Sequence, residues 1–366
     1  MSLRRSALVT VAALLAVAAF PASALADSIR DMQWHLRFLH IADAHKISQG
    51  EGVIVAVEDS GVDTTSPELA SAVRPGKDFG GNTGDGRHDI VGHGTAMAGL
   101  IAGRGKGGNN GVLGIAPRST ILPVQVSKAL DMGGNPLDLA KGIDYAVTQG
   151  AKVINISLDT SEAKEVKDAI QRAIDANVVV VAAAGNKPTY GSVTFPARMP
   201  GVIAVGAVDQ QGERAAVSVA GAEMVLTAPG VDMVTTDLEG KAQSGRGTSD
   251  AAAVVSGVVA LVRAKYPQLS GPEVIHRLTA TAQDKGEPGR DPVYGYGIVD
   301  PVKALTADVP PAAPSASPQA SAVASTDGKS SGTSPAAVIA AISAAAVVVV
   351  FITVLQIIVR GRRRRA

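Results

Sequence analysis

The chain has 366 residues, of which 46% are hydrophobic and 3% aromatic, and its formal net charge is +1. A near-neutral chain with so few aromatic residues lacks the basic surface and the stacking platforms of nucleic-acid-binding proteins, so no nucleic-acid partner is expected. The sequence contains no cysteine, which excludes disulfides, thiolate metal sites and a cysteine nucleophile.

Residues 1–26 have the pattern of a signal peptide. Arg4 and Arg5 precede an apolar run, and Ala24-Leu25-Ala26 supplies a cleavage site of small residues. We therefore expect cleavage after Ala26. A retained anchor helix is the less favoured alternative, because the apolar run is short for a membrane span. Residues 27–51 then form an N-terminal extension.

Residues 52–306 alternate between two kinds of pattern. Continuous β-branched runs predict strands that are covered on both faces, at Val53–Val57, Val153–Ile156, Val178–Val181 and Val202–Val205. Helical patterns lie between and after them, at Thr95–Gly103, Leu137–Gln149, Glu162–Ala176, Ala251–Tyr266 and Gly271–Thr281. This alternation predicts a three-layer α/β/α domain with a mainly parallel sheet. Chemistry in such domains gathers at the carboxyl ends of the strands, and Asp59 and Asn186 each follow one.

The C-terminal part predicts a tether and a membrane anchor. Residues 307–334 are rich in Pro, Ala and Ser, which is typical of a disordered linker. Residues 335–359 are almost wholly apolar and long enough for a transmembrane helix; a buried soluble helix is the alternative. Arginines from Arg360 to Arg365 make residues 360–366 a basic tail, which is expected in the cytoplasm. The catalytic domain is then expected outside a cell membrane that the chain crosses once.

Three short motifs supply the groups of a serine hydrolase. They are Asp59-Ser60-Gly61, His93-Gly94-Thr95 and Gly247-Thr248-Ser249, in that order. Each motif alone is more often a turn or a helix cap, and the inference depends on their order and contexts. A serine hydroxyl needs a base to remove its proton, and the base needs an orienting group, roles that fit His93 and Asp59. Ser249 begins a helix whose N–H groups favour an oxyanion, and Asn186 is a candidate second donor.

At these motifs the chain resembles the subtilases, the subtilisin-like serine proteases. Residues 55–63, 92–99 and 247–253 resemble the family's aspartate, histidine and serine motifs. The resemblance implies a serine endopeptidase that cuts proteins or peptides through an acyl-enzyme. It implies that the catalytic residues are Asp59, His93, Ser249 and Asn186. It also implies that the substrate is bound by two segments, Ser157, Leu158 and Asp159, and Ala183, Ala184 and Gly185.

The ends of the chain resemble a narrower group, the mycosins, which are membrane-anchored subtilases of actinobacterial type VII secretion systems. The likeness implies components of such a secretion complex as partners, and an N-terminal extension that wraps the domain. It also leaves an alternative open, in which the protein is mainly a structural component of a secretion complex and proteolysis is dispensable.

Three departures from the family pattern carry expectations of their own. Glu58 replaces an aliphatic residue and points into a covered layer, so we expect it to need a partner or solvent. Asp250 and Ala253 replace an apolar residue and a proline after the nucleophile, which should soften the start of that helix. Asp159 stands where the family has glycine at the specificity pocket. Our hypothesis is that it favours a basic residue at the scissile position; the alternative is that it points to solvent.

No cofactor or metal site is predicted. His35, His40 and His45 recur every five residues, which fits neither a helix face nor a strand face. Structural calcium is left unassigned, because aspartates such as Asp78 and Asp85 occur without a loop of ligand spacing.

Overall fold

The structure is a computed structural model, and it describes residues 27–81, 83–128 and 134–311. The predicted signal peptide, nearly all of the predicted linker, the predicted transmembrane helix and the basic tail lie outside the described residues. Within the described ranges, no helix is both long and apolar enough to cross a bilayer.

Seven parallel strands form the central sheet, in the spatial order β2-β3-β1-β4-β5-β6-β7. Their side chains are buried almost throughout, as expected for a sheet covered on both faces. The four strands predicted from β-branched runs are all present, and three further strands complete the sheet. The bounds are β1 Ile54–Asp59, β2 Lys77–Asp78, β3 Thr120–Gln125, β4 Val153–Ile156, β5 Val179–Ala183, β6 Ile203–Val208 and β7 Leu226–Pro229.

Helices cover both faces of the sheet, which confirms the predicted layers. The helices are α1 Asp27–Met32, α2 Trp34–Phe38, α3 Ile41–Ala44, α4 His93–Ala102, α5 Pro136–Thr148, α6 Lys164–Asp175, α7 Thr248–Lys265, α8 Gly271–Thr281 and α9 Pro301–Thr306. One apolar layer packs α4 and α7 against one face of the sheet, and the other packs α5 and α6 against the opposite face. Helix α7 is buried over nearly its whole length, so it forms the centre of its layer.

Two strands outside the sheet lead the chain into the start of α7. Strands β8 Met233–Thr236 and β9 Ala242–Gly245 pair antiparallel, and the chain passes from β9 directly into α7. The start of α7 therefore lies near the carboxyl ends of the parallel strands. Helix α7 runs unbroken from Thr248 to Lys265, with Asp250 and Ala253 inside it.

The N-terminal extension lies against the domain through specific hydrogen bonds. The amide of Gln33 donates to the Leu113 carbonyl O at 3.0 Å and accepts from the Leu113 N–H at 2.9 Å. The indole of Trp34 donates to the Val231 carbonyl O at 3.0 Å. His35 is fully buried, and burial lowers the pKa of its imidazole to about 3, so this side chain is neutral. In the described ranges, no group of three or more acidic, histidine or cysteine side chains is placed to hold a metal ion.

Glu58 is the buried acid of β1, and the expectation that it needs a partner or solvent is wrong. Its side chain is 0% exposed, and neither carboxyl oxygen has a hydrogen-bond partner among the described residues. Burial raises its pKa well above the usual range, and the neighbouring charge of Asp59 acts in the same direction. The group is therefore a neutral carboxylic acid. Gly142 of α5 makes room for it, because a Cβ there would overlap Glu58 Oε2.

Candidate active site

Asp59 and His93 form a hydrogen-bonded pair at one edge of the sheet. Asp59 is the last residue of β1, and His93 is the first residue of α4. The Nδ1 atom of His93 lies 2.8 Å from Asp59 Oδ1 and 2.9 Å from Oδ2. Since a carboxylate accepts, Nδ1 carries the proton in this arrangement, and Nε2 is left as the basic nitrogen.

The carboxylate of Asp89 binds both the turn that leads into α4 and one free N–H in the first turn of the helix. Asp89 Oδ1 accepts from the N–H groups of Val91 and Gly92, at 2.9 and 3.0 Å. Asp89 Oδ2 accepts from the N–H and the hydroxyl of Thr95, at 3.1 and 2.7 Å. These contacts satisfy donors that a helix N-terminus otherwise leaves unpaired. Asp89 thereby fixes the position of the imidazole from outside the helix.

A glycine permits the close contact between α4 and the loop after β1. A Cβ on Gly94 would overlap the carbonyl O of Gly61, so a larger residue would push the helix away from that loop. The Gly94 N–H donates to Ser60 Oγ at 3.0 Å, which ties the two segments together. The residue after His93 must therefore be glycine for the helix to pack this closely against the loop after β1.

Ser249 lies in the first turn of α7 and is partly exposed to the same cleft. Its hydroxyl donates to the carbonyl O of Ser157 at 3.3 Å, just beyond the end of β4. The Ser157 hydroxyl in turn contacts the carbonyl O of Ser249 at 3.4 Å. The hydroxyl thus rests on the β4 edge rather than on His93, and catalytic hydrogen bonds often form fully only when substrate binds.

Asn186 is held beside the start of α7 in a defined orientation. Its Oδ1 accepts from the N–H of Thr248 at 3.0 Å and from the Thr248 hydroxyl at 3.2 Å. The N–H of Gly185 donates to the same hydroxyl at 3.1 Å. Because the amide oxygen is engaged, the amide NH₂ is the group left to donate. It lies next to Gly247, whose added Cβ would be 3.3 Å from Nδ2.

A cleft of about 740 Å³ brings most of the sequence-predicted site residues together. Nine of the ten residues line it, namely Asp59, His93, Ser157, Leu158, Asp159, Ala183, Gly185, Asn186 and Ser249. Ala184 does not: it is 0% exposed and packs in the apolar layer with α5 and α6. The reason is the alternation of an extended chain, which turns Ala183 and Ala184 to opposite sides.

Asp159 lines the cleft, and its carboxylate has a hydrogen-bond partner that the sequence did not indicate. The hydroxyl of Tyr190 donates to Asp159 Oδ2 at 2.7 Å, and both residues line the cleft. This hydrogen bond is the main reason why the pKa of Tyr190 is raised to about 12. Tyr190 follows the predicted site residue Asn186 by four residues but lies 31 residues from Asp159, so only the folding of its loop could reveal the contact.

Charges around His93 favour its protonated form. Burial alone would lower the pKa of its imidazole, but the charges and hydrogen bond of Asp59, with the charges of Asp250 and Asp89, raise it to about 9. Asp250 is itself 5% exposed and lines the cleft. Burial raises the pKa of its carboxyl to about 7, although the nearby His93 opposes that shift.

The parallel α/β/α fold, with a carboxylate–imidazole pair and a serine at a helix N-terminus beside it, defines the class as an α/β serine hydrolase. Residues 50–297 match the model of the subtilase family, and the chain belongs to that family. It is a subtilisin-like serine endopeptidase.

Known relatives place the chain near two kinds of subtilase. The thermostable alkaline protease of Halalkalibacterium halodurans is 38% identical over 272 residues, covering 73% of this chain and 71% of the relative. Mycosin-1 of Mycobacterium tuberculosis is 35% identical over 349 residues, covering 80% and 77%. A solved structure of the serine protease MycP1, described as an essential component of the type VII (ESX-1) secretion system, has a TM-score of 0.66 at 34% identity. That match covers 75% of this chain and 88% of the solved one.

Proposed function

We propose that Asp59, His93 and Ser249 are the catalytic triad of this endopeptidase. The observation that carries the proposal is the Asp59–His93 pair, with Nδ1–O distances of 2.8 and 2.9 Å, on the same cleft as Ser249. Nε2 of His93 takes the proton of the Ser249 hydroxyl as Oγ attacks the scissile carbonyl carbon. The protonated imidazole then gives that proton to the leaving amine, and water hydrolyses the acyl-enzyme by the same route in reverse.

The oxyanion of the tetrahedral intermediate has two candidate donors. One is the backbone N–H of Ser249 in the first turn of α7, where the helix dipole also favours negative charge. The other is the NH₂ group of Asn186, whose orientation is set by the two hydrogen bonds from Thr248. Donors fixed before the reaction need no reorganisation when the charge develops, which is why such groups have large effects on rate.

The substrate is proposed to be an extended polypeptide with a basic residue at the scissile position. Ser157 and Leu158 on one side and Ala183 and Gly185 on the other would border it. Asp159 on the cleft wall offers Oδ1 to a cation while Oδ2 holds the Tyr190 hydroxyl. A lysine or arginine side chain that reaches this wall would form a charge-assisted hydrogen bond.

The protein is further proposed to act at the outer face of the cell membrane, anchored by residues 335–359. The support is the sequence pattern of both ends and the relation to mycosins, one of whose solved members is described as a component of a type VII secretion system. Components of such a complex would be its partners, and an N-terminal signal peptide (residues 1–26) would direct its export.

That description, an essential component of a secretion system, also favours a second candidate function. In it the protein stabilises the membrane complex, and cleavage is dispensable. Complementation of a null strain separates the two functions. A Ser249→Ala chain that restores secretion, together with a chain lacking residues 335–359 that does not, would favour the structural function. The opposite pair of results would favour proteolysis.

Labelling with a fluorophosphonate probe tests the triad directly. We expect the full-length protein to be labelled and the Ser249→Ala protein to remain unlabelled. Turnover of a peptide substrate should fall by a factor on the order of 10⁶ in kcat when the serine is removed. Equal labelling or equal turnover of the two proteins would contradict the assignment of Ser249 as nucleophile.

A further inference from the structure

Asp250 is a buried carboxylate that directly follows the proposed nucleophile. Its side chain is 5% exposed, it lines the catalytic cleft, and Oδ1 lies 3.1 Å from the position of a Cβ on Gly245. In the described part of the chain, no other residue donates a hydrogen bond to its carboxylate. Burying a charge with so little hydrogen bonding is costly unless an opposite charge compensates it.

The charged groups around Asp250 come from every neighbouring element, and one of them can compensate it. Asp59 and Asp89 are acids that already hold other donors, His93 and Ser60 in the first case and the start of α4 in the second. The β9–α7 loop contributes Arg246, a cation that also lines the cleft but is exposed, so that water screens its charge; Asp159 and Tyr190 line the cleft and carry no positive charge. His93 remains. It stands at the start of α4, which packs directly against α7, and its attraction with Asp250 is mutual.

We propose that Asp250 is a second counter-ion of the His93 imidazolium and sets, together with Asp59, the pH range in which the enzyme turns over. Asp59 acts from the Nδ1 side of the ring, and Asp250 acts from the helix that carries the nucleophile. Asp250 touches neither substrate nor reacting atoms in this scheme, so it is a positioning residue that works through His93. The inference rests on the proposed catalytic role of His93.

The scheme predicts an unusual kinetic signature. His93 must be neutral to accept the proton of Ser249, so a stabilised imidazolium moves the onset of activity to higher pH. The transition state also contains the imidazolium, and Asp250 stabilises it there too. Removing the charge of Asp250 should therefore lower both the pH at which kcat/KM begins to rise and the value that kcat/KM reaches at alkaline pH. At lower pH the rate should change little, because the free enzyme and the transition state then both carry the cation.

The kinetic test compares Asp250→Asn and Asp250→Ala with wild type in the full-length protein. Asp168→Asn is the matched control, since it removes one negative charge from the exposed surface of α6. The acid limb of kcat/KM should move down by roughly one pH unit. The plateau should fall by up to about tenfold, the rate equivalent of one pKa unit. The control should keep the wild-type profile. A loss of equal size at every pH, or an unmoved limb, would overturn the inference.

A second measurement does not require turnover. The chain has six histidines, so the His93 ring can be assigned in NMR spectra of the Ser249→Ala protein through the His93→Gln variant. Its titration midpoint should fall by roughly one pH unit when Asp250→Asn or Asp250→Ala is added. Equal midpoints would overturn the role of Asp250 and leave the triad intact. Turnover that survives Ser249→Ala would reject the triad, while the midpoints would still decide on Asp250.

Discussion

Replacing Glu58 by glutamine should make the stability of the domain less dependent on pH. Glu58 is 0% exposed on β1, both carboxyl oxygens lack hydrogen-bond partners within the part of the chain that the structure describes, and burial raises its pKa well above the usual range. In the folded protein the group keeps its proton, whereas in the unfolded chain it ionises above its ordinary pKa of about 4.3. Folding therefore requires proton uptake by this residue at neutral pH.

The sign and size of the effect follow from this linkage. A carboxyl whose pKa is raised by folding contributes its full stability below the unfolded pKa and loses it as the pH rises towards the folded pKa. Each pH unit in that interval costs about 1.4 kcal/mol of unfolding free energy. Between pH 5 and pH 7 the unfolding free energy should therefore fall because of Glu58, and Glu58→Gln should abolish this fall.

Urea unfolding followed by circular dichroism at pH 5 and pH 7 measures this difference. The Ser249→Ala background prevents self-cleavage during the experiment. Glu165→Gln is the matched control, because Glu165 is exposed on α6 and its replacement should leave the wild-type pH dependence in place. Glu58→Leu should behave as Glu58→Gln does and be more stable at both pH values, since it also removes unpaired polar atoms. A Glu58→Gln protein with the wild-type slope would refute the reasoning.

Three further predictions concern the site. Asn186→Ala should lower kcat by about 10²–10³-fold with little change in KM, because its amide acts on the oxyanion; an unchanged kcat in steady-state assays would exclude that role. Asp159→Asn should remove a preference for lysine or arginine at the scissile position in a peptide library, and a preference that persists would show that Asp159 does not set it. Asp89→Ala should lower the unfolding free energy by about 1–3 kcal/mol, since it leaves the donors at the start of α4 unpaired, and an unchanged urea midpoint would contradict this.

Long apolar runs made much of the fold predictable. The five predicted helices and four predicted strands are present, with ends displaced by three residues or fewer. Strand β3 was missed because Pro123 interrupts its pattern, and proline cannot donate within a sheet. The structure shows why it is tolerated. The backbone N–H of Ile121 points to the β2 side of the strand and donates to the Ala72 carbonyl O. Pro123 lies two residues further along, so its nitrogen faces the same side. Strand β2 pairs there only with Val124 and Gln125, so the missing N–H of Pro123 breaks no pairing with β2.

The candidate site was predictable only where residues adjacent in sequence carry the chemistry. In each motif the functional side chain is adjacent to a glycine or hydroxyl residue that positions it. Gly94 follows His93 and Ser60 follows Asp59, and the two are joined by a hydrogen bond. The contact of Tyr190 with Asp159 depends on how a loop folds back over the cleft, and no local pattern encodes it. Ala184 was predicted together with Ala183 for the substrate site, and strand alternation turns its side chain away from the cleft into the apolar layer.

Three acids near one imidazole show how the same functional group takes different states. Asp59 accepts hydrogen bonds from His93 and Ser60, Glu58 lies in an apolar layer that raises its pKa, and Asp250 is buried on the cleft that His93 also lines. Only the charged acids can stabilise the imidazolium. Glu58→Gln should therefore leave the acid limb of kcat/KM where it is in wild type, although Glu58 adjoins Asp59 in sequence, whereas Asp250→Asn should move it. A limb displaced by Glu58→Gln would mean that Glu58 is ionised in the folded protein and that burial alone does not govern these carboxyls.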